Sequence, residues 1–297
     1  GLAVLRAGLH LLLEKPMTTD VNEARALFDA AAGAPGQALI LNNTANWQPG
    51  CIEARNLIAE GRLGTVRHVS CLFAAPLGWL FEGEAHVGWS KPSGTMMGNG
   101  FGWGQLSHTL AWVYGVTGLT PATVYAAAVH SEVTGADIYD SLTITCTCGA
   151  VISASGVGTC PDGGFKVVSN WIFGTEGMLQ FSGLAGSDGA APTLTGDGSA
   201  RARTAAAAAR RQAADARLLM WRHDGAHAAG PPFAFESFDP ASTGPGSLDA
   251  FVRACRDEPY YNGAGATEGL KTVATIDALY RSIQSGKSEM VSGCTDI

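Results

Sequence analysis

Apolar positions recur along this chain with two periods, and the change from one to the other divides it. Leu2, Val4, Leu5 and Ala7 fit the closing turns of a helix that Gly8 stops, and Leu9 to Leu13 then read as a short buried strand. Asp20 with Glu23 three positions on forms a capping box ahead of Ala24, Leu27, Phe28 and Ala31, which predicts a helix from about 20 to 33. A Pro-Gly turn and the apolar run Ala38 to Leu41 complete the order strand, helix, strand of a parallel sheet, half of an α/β domain. Pro49 opens another helix, with Ala54, Leu57 and Ile58 on one side and Gly61 closing it.

Beyond that helix the period falls to two. Thr65–Phe73, Ala122–Val129, Ser141–Cys148, Ala150–Val157, Lys166–Phe173 and Gly177–Phe181 are β-rich, the last four joined by short turns. Gly149 and Thr175-Glu176-Gly177 mark hairpins, so this sheet is expected to be antiparallel and the second domain α+β. Residues 183–232 are biased to Gly, Ala and Arg and read as a mobile insertion. Helical spacing then returns, with Ser247 capping Leu248, Phe251, Val252 and Cys255, and Thr267 ahead of Leu270, Val273, Ile276, Tyr280 and Ile283 up to Gly286.

Composition narrows the function classes. The 297 residues suit two domains, and 46% hydrophobic with 15% charged residues is a globular balance. Nineteen basic against 26 acidic residues, net charge −7, give no electrostatic grip on phosphate backbones, so no nucleic-acid partner is expected. No run approaches the roughly 18 apolar residues of a membrane span, so no membrane partner is expected either. Gly1 to Leu13 has no initiator Met, basic n-region or cleavage site and reads as folded domain. The seven scattered cysteines read as reduced structural thiols, with Cys146 and Cys148 on one strand face, in keeping with a cytoplasmic location. The histidines lack ligand spacing, and no metal is expected.

Two stretches carry chemistry. Glu14-Lys15-Pro16 sits where a parallel strand ends, the edge at which open α/β sheets bind ligands. A lysine there donates hydrogen bonds and stabilises negative charge on an alcohol oxygen; the alternative is a solvated surface lysine. In Gly98-Asn99-Gly100-Phe101-Gly102-Trp103-Gly104-Gln105-Leu106-Ser107-His108, helical spacing puts Gln105, His108 and Trp112 on one face and Leu106, Leu110 and Val113 on another. His108 can take a hydroxyl proton as hydride leaves carbon, or can be a structural histidine. Asn42, Asn43, Asn46 and Trp47 follow the second strand and can offer amides and an aromatic face to a polyol, or serve as loop and cap residues. No G-x-G-x-x-G opens a βαβ unit anywhere in the chain.

Four ordered motifs resemble the Gfo/Idh/MocA oxidoreductases, relatives of glucose-fructose oxidoreductase and inositol dehydrogenase. Ala7-Gly8-Leu9-His10-Leu11-Leu12-Leu13-Glu14-Lys15-Pro16-Met17 is similar to the family's "aGkhVlvEKPm", and Ile58-Ala59-Glu60-Gly61-Arg62-Leu63-Gly64 to its "i.eG.lG". Phe173-Gly174-Thr175-Glu176-Gly177 resembles "i.GteG", and Tyr280-Arg281-Ser282-Ile283-Gln284-Ser285-Gly286-Lys287 resembles "a.yrSa.sGk". The resemblance implies an α/β fold with an incomplete Rossmann-type parallel sheet over 1–47. An α+β substrate and oligomerisation domain with a large, mostly antiparallel open sheet would then fill 48–297. It implies NAD or NADP as cofactor, hydride transfer to or from a sugar, polyol or related small molecule, and a homo-oligomer. Lys15 and His108 match the family's active-site lysine and histidine, and Glu14, Lys15 and Pro16 would border the nicotinamide. Asn43, Asn46, Trp47 and Gln105 are the candidate substrate contacts.

Two departures qualify this expectation. Where the family's "D-x-G-x-H-x-x-D" has aspartates, four before and three after the histidine, this chain has Gly104 and Ala111. The chain also begins just before the EKP strand, so roughly 80 residues of preceding βαβ units, with the glycine-rich dinucleotide turn, are expected to be missing, and as given it should bind NAD(P) poorly or not at all. The alternative expectation is a non-catalytic scaffold or binding protein derived from this family.

Overall fold

The structure, a computed structural model, describes residues 1–83, 91–160, 165–186, 217–232, 246–294 and 297. Short α1 (Leu2–Arg6) runs to Gly8, whose φ of 77° turns the chain into β1 (Leu11–Leu13). Asp20 Oδ1 accepts from the N–H groups of Asn22 and Glu23 at 2.8 and 3.1 Å and opens α2 (Val21–Ala32), which buries Ala24 and Leu27. β2 (Leu39–Leu41) pairs parallel with β1, Leu11 opposite Leu39 and Leu13 opposite Leu41. All three β2 side chains are buried, as an apolar run covered on both faces should be. A 3₁₀ turn, Thr44–Trp47, then leads to α3 (Pro49–Ala59), with Pro49 in its first turn.

A larger sheet follows. Its strands are β3 (Val66–Ala74), β4 (Pro121–His130), β5 (Asp137–Cys146), β6 (Val151–Val157), β7 (Phe165–Gly174), β8 (Gly177–Gly186), β9 (Arg217–Arg222), β10 (His227–Pro232) and β11 (Glu289–Met290). They lie in the order β10-β9-β8-β7-β3-β6-β5-β4-β11, antiparallel throughout except for β3 with β6. The expected hairpins form: Gly149, at φ 82°, turns β5 into β6, and Thr175-Glu176 turns β7 into β8. Between β3 and β4 come the short α4 (Gly78–Phe81), a π-helical turn Gly102–Leu106, and α5 (Ser107–Thr117). The chain closes with α6 (Gly246–Ala254) and the 20-residue α7 (Ala266–Ser285).

Helices α5 and α7 cover one face of the sheet. Tyr114 of α5 and Thr275 of α7 share a hydrogen bond of 2.7 Å in the core, and Ser282 Oγ accepts from Ala126 N of β4 at 2.9 Å. The opposite face is open: Tyr125, Val129 and Tyr139 are 52, 59 and 38% exposed, with Val129 and Tyr139 directly paired. Among the described residues no helix is long and apolar enough to cross a membrane.

The structure corrects four readings. The four strands from Ser141 onward, expected to be joined by short turns, form two hairpins that are not neighbours, because β3 lies between β6 and β7 and buries Val69, Cys71 and Phe73 there. Of the segment 183–232 read as a mobile insertion, 187–216 lies outside the described residues, while 183–186 and 217–232 are strand or hairpin; buried Leu218 and Met220 alternate along β9 and anchor it to β8. The strand expected to end at Cys148 stops at Cys146, and Cys148 is exposed in the turn. Ser247 does not cap from outside but lies within α6, which begins at Gly246; it is buried, and its Oγ donates to Asn42 Oδ1 at 2.7 Å, tying α6 to the end of β2.

Candidate active site

The carboxyl edge of the two parallel strands is a hydrogen-bonded rim. Asn42, just after β2, accepts from Ser247 and donates to Glu14 Oε1 at 2.6 Å, so the ends of both strands are joined through side chains. Glu14 is exposed, and Lys15 is joined to Pro16 by a cis peptide. The Lys15 side chain turns inward, where its Nζ donates to the carbonyl of Gly104, 89 residues away in the π-helical turn. Burial lowers the Lys15 pKa to about 8, against the opposing pull of the Glu14 carboxylate.

The glycine-rich approach to that turn packs tightly against two polar side chains. Tyr280 of α7 donates to Asp137 Oδ1 at 2.8 Å, and Asp137 Oδ2 accepts the N–H of Gly102 at 2.8 Å. A Cβ at Gly98 or Gly102 would collide with Tyr280, and one at Gly100 with Asp137. Trp103 stacks on the Tyr280 ring at 6.0 Å and donates to Met97 O at 2.9 Å. The glycines thus bring the backbone onto the Tyr280–Asp137 pair, which fixes the start of the turn that carries Gln105 and His108. Asp140 is buried beside the pair, and its pKa is raised to about 9, first by burial and then by the charge of Asp137.

A cavity of about 80 Å³ opens between α5 and the sheet. Gln105, His108 and Trp112 line it together, as their helical spacing predicts, with Thr109 beside them. Thr44 and Ala45 of the 3₁₀ turn and Gln48 close one side; Phe73 of β3, Lys166, Val168 and Asn170 of β7, and Phe181 of β8 form the floor. Trp112 stacks on Phe181 with centroids 5.8 Å apart and planes at 10°. Trp112 Nε1 and Asn170 Oδ1 are buried in this wall without a hydrogen-bond partner among the described residues. The His108 pKa is pushed well below its ordinary value, first by burial and then by the positive charges of Lys15 and Lys166. The imidazole is therefore neutral at neutral pH and able to accept a proton.

The expected substrate contacts divide. Gln105 lines the cavity; Asn46 and Trp47 do not. Asn46 Nδ2 is occupied by the carbonyls of Ala111 and Gly263 at 2.9 and 3.0 Å, and Trp47 Nε1 donates to Leu41 O at 3.3 Å while its ring meets Tyr261 edge-on. The 3₁₀ turn explains this, since it presents Thr44 and Ala45 to the cavity and rotates the next two residues into the protein. Asn43 is buried at the end of β2, outside the cavity wall, with Oδ1 unpartnered among the described residues. At both positions where an aspartate was expected, a backbone carbonyl takes the polar contact instead: Gly104 O receives Lys15, and Ala111 O receives Asn46. Lys166, Asn170, Gln48, Thr44 and Thr109 had not been singled out from the sequence. The alternation of Lys166, Val168 and Asn170 along β7 was the available signal. Among the described residues no group of three or more His, Cys, Asp or Glu assembles as a metal site.

Comparison with known proteins gives two family matches in chain order. Residues 1–41 match the oxidoreductase family with an NAD-binding Rossmann fold, and residues 51–180 match the GFO/IDH/MocA C-terminal domain. The uncharacterized oxidoreductase YdgJ of Escherichia coli K12 is 35% identical over 71 residues, 24% of this chain; the match spans only 20% of that relative's length. Among solved structures, levoglucosan dehydrogenase in complex with NADH superposes with a TM-score of 0.69 at 15% identity, covering 98% of this chain and 75% of that one. Aldose-aldose oxidoreductase from Caulobacter crescentus, complexed with glycerol, gives 0.64 at 19%, covering 97 and 74%. The WlbA dehydrogenase from Bordetella pertussis, in complex with NADH and UDP-GlcNAcA, gives 0.63 at 18%, covering 98 and 75%. At these identities the structural likeness establishes the fold.

Proposed function

We propose, of a chain that belongs to the Gfo/Idh/MocA oxidoreductases, that it carries the substrate-binding and proton-handling part of an NAD(P)-dependent dehydrogenase acting on a sugar, polyol or related alcohol or carbonyl. In this reading 1–47 is the end of the dinucleotide-binding domain and 48–297 the substrate and oligomerisation domain, acting as a cytoplasmic homo-oligomer. The observation that carries it is the electrostatic unit of Lys15 and His108. Lys15, at the carboxyl edge of the parallel strands, is hydrogen-bonded to Gly104 O in the turn that leads to His108, and its charge helps to lower the pKa of that cavity-lining imidazole, which supports the reading.

The residues at the strand edge fit the nicotinamide end of the cofactor. Lys15 Nζ has two N–H donors besides the one given to Gly104 O, and the buried Oδ1 of Asn43, without a partner among the described residues, is an acceptor of the kind a carboxamide N–H₂ satisfies. Glu14 and Pro16 would border that ring. A nicotinamide held there would supply the hydride acceptor for alcohol oxidation and the hydride donor for the reverse reaction. The chain's own contribution is proton chemistry: His108 accepts the hydroxyl proton as the C–H bond breaks, while the Lys15 ammonium stabilises the negative charge developing on the oxygen. In the reverse direction His108 returns that proton to the carbonyl oxygen. Gln105, Trp112 and Asn170 orient the remaining hydroxyls.

The test uses the protein isolated from its source. NADH and NADPH fluorescence titrations should saturate, and Lys15→Met should lower turnover about 100-fold or more while leaving the far-UV spectrum intact. Absence of saturable binding supports the non-catalytic scaffold instead. Unchanged turnover in Lys15→Met defeats the assignment of Lys15.

A further inference from the structure

We propose that Trp112 and Asn170 together read one hydroxyl of the substrate, separate from the hydroxyl that His108 deprotonates, so that the site selects polyhydroxylated molecules over simple alcohols. The inference rests on the dehydrogenase reading above and adds which substrate group is recognised and by which residues.

Two polar atoms of opposite kind are buried in the cavity wall. Trp112 is 1% exposed and Asn170 4%, and both side chains line the cavity. Trp112 Nε1, a donor, and Asn170 Oδ1, an acceptor, have no hydrogen-bond partner among the described residues. Buried polar atoms are nearly always paired in folded proteins, so a donor and an acceptor on one cavity wall are placed for a ligand that pairs with both. The packing brings the two side by side. Asn170 of β7 stands opposite Phe181 of β8 in the strand register, and the Trp112 ring lies on Phe181 with centroids 5.8 Å apart and planes at 10°. Helix α3 presses on the same ring, since a Cβ at Gly50 would collide with Phe181. The indole and the carboxamide are thus held next to each other from two elements.

The chemistry of the partner follows from the pair. An indole N–H needs an acceptor and a carboxamide oxygen needs a donor, and a hydroxyl is both at once. A carbonyl or ether oxygen leaves Asn170 unsatisfied, an ammonium leaves Trp112 unsatisfied, and a C–H group leaves both. Trp112 stands one helical turn beyond His108, and side chains four apart on a helix lie about 5–6 Å from each other at Cβ. The hydroxyl read by the pair is therefore a second one, a short distance along the substrate from the one that reacts. The stacked Trp112–Phe181 rings supply an apolar surface for the C–H groups between them. A ligand lacking that second hydroxyl strands both buried atoms, which is how a site built to bind a hydroxyl rejects the deoxy analogue.

Titration calorimetry on the protein from its source, with and without nicotinamide cofactor, tests this without requiring turnover. The probes are D-glucose and myo-inositol, each with its set of monodeoxy analogues. At least one parent polyol should bind, and one of its deoxy analogues should bind about 30-fold or more weakly. Trp112→Phe keeps an aromatic ring against Phe181 but removes the donor, and Asn170→Leu removes the acceptor at similar volume. Each should shrink the penalty of that same analogue about fivefold or more, leave the other analogues at their original ratios, and keep the far-UV spectrum of the parent protein. Either variant alone carries the test should the other fail to fold. Near-equal binding of parent and analogues, a penalty that a folded variant leaves unchanged, relaxation at different positions in the two variants, or no binding of either polyol overturns the proposal. A penalty that both variants relax, with no hydride exchange to either nicotinamide, refutes the dehydrogenase reading and leaves the hydroxyl assignment standing. Turnover of polyols with no deoxy penalty does the reverse.

Discussion

Lys15 and His108 are displaced from their ordinary titration ranges in the same direction and for the same leading cause, burial. The signs give a usable window. His108 must be neutral to accept a proton, and its lowered pKa keeps it so from neutral pH to well below 6.5; Lys15 must be charged to stabilise an alkoxide, and it is charged below about 8. For alcohol oxidation, kcat/KM should be flat across that interval, fall on the alkaline side near pH 8, and fall on the acid side only well below 6.5. A pH–rate profile with its acid limb at or above 6.5 would show that His108 is not the acceptor in the environment described. The individual residues were legible where the clue was local: Glu14-Lys15-Pro16 closes a strand, and Gln105, His108 and Trp112 recur at helical spacing. Asp137 and Tyr280 were not, because their partnership spans 143 residues and leaves no periodic trace.

Elements hold these residues in place through close backbone packing. The π-helical turn Gly102–Leu106 stands at its fixed height because Gly98, Gly100 and Gly102 admit Tyr280 and Asp137 where side chains would otherwise lie. Gly100→Ala should therefore cost about 2–3 kcal/mol in urea unfolding, since its Cβ meets the Asp137 backbone, which cannot rotate away. Gly36→Ala, at an exposed turn with nothing within 4 Å, should stay within about 0.5 kcal/mol of the parent protein. Equal losses at the two positions would mean that the packing against Asp137 is looser than the geometry requires. Helices and hairpins could be read from caps, period and turn glycines. The 3₁₀ turn could not, and it is this turn that directs Asn46 and Trp47 away from the cavity. β9 escaped notice because its alternating Leu218 and Met220 follow a stretch rich in alanine and arginine.

At the scale of the whole molecule, the nine-stranded sheet has one face under α5 and α7 and one face carrying Tyr125, Val129 and Tyr139 in the open. Exposed apolar groups on adjacent strands are the composition of a contact surface, and they support the homo-oligomer proposed above. Replacing Tyr125 and Val129 together with Glu should reduce the mass measured by light scattering to that of the monomer, with the far-UV spectrum unchanged. An unchanged mass would remove this face from the assembly. The broad division into a parallel part and a mostly antiparallel part was visible in the change of hydrophobic period. The order of strands was not, since no local pattern says that β3 enters between two strands that come later in the chain.

That placement has a consequence for biogenesis. Both neighbours of β3 are translated after it: β6 ends at Val157, and β7 reaches Val66 only with Gly174. On the ribosome, Val69, Cys71 and Phe73 must wait for about 80 further residues before either flank of their strand is occupied, at roughly 5–20 residues per second. For those seconds the nascent chain carries an unpaired apolar ribbon, which makes this segment the natural point at which a holdase chaperone would engage it.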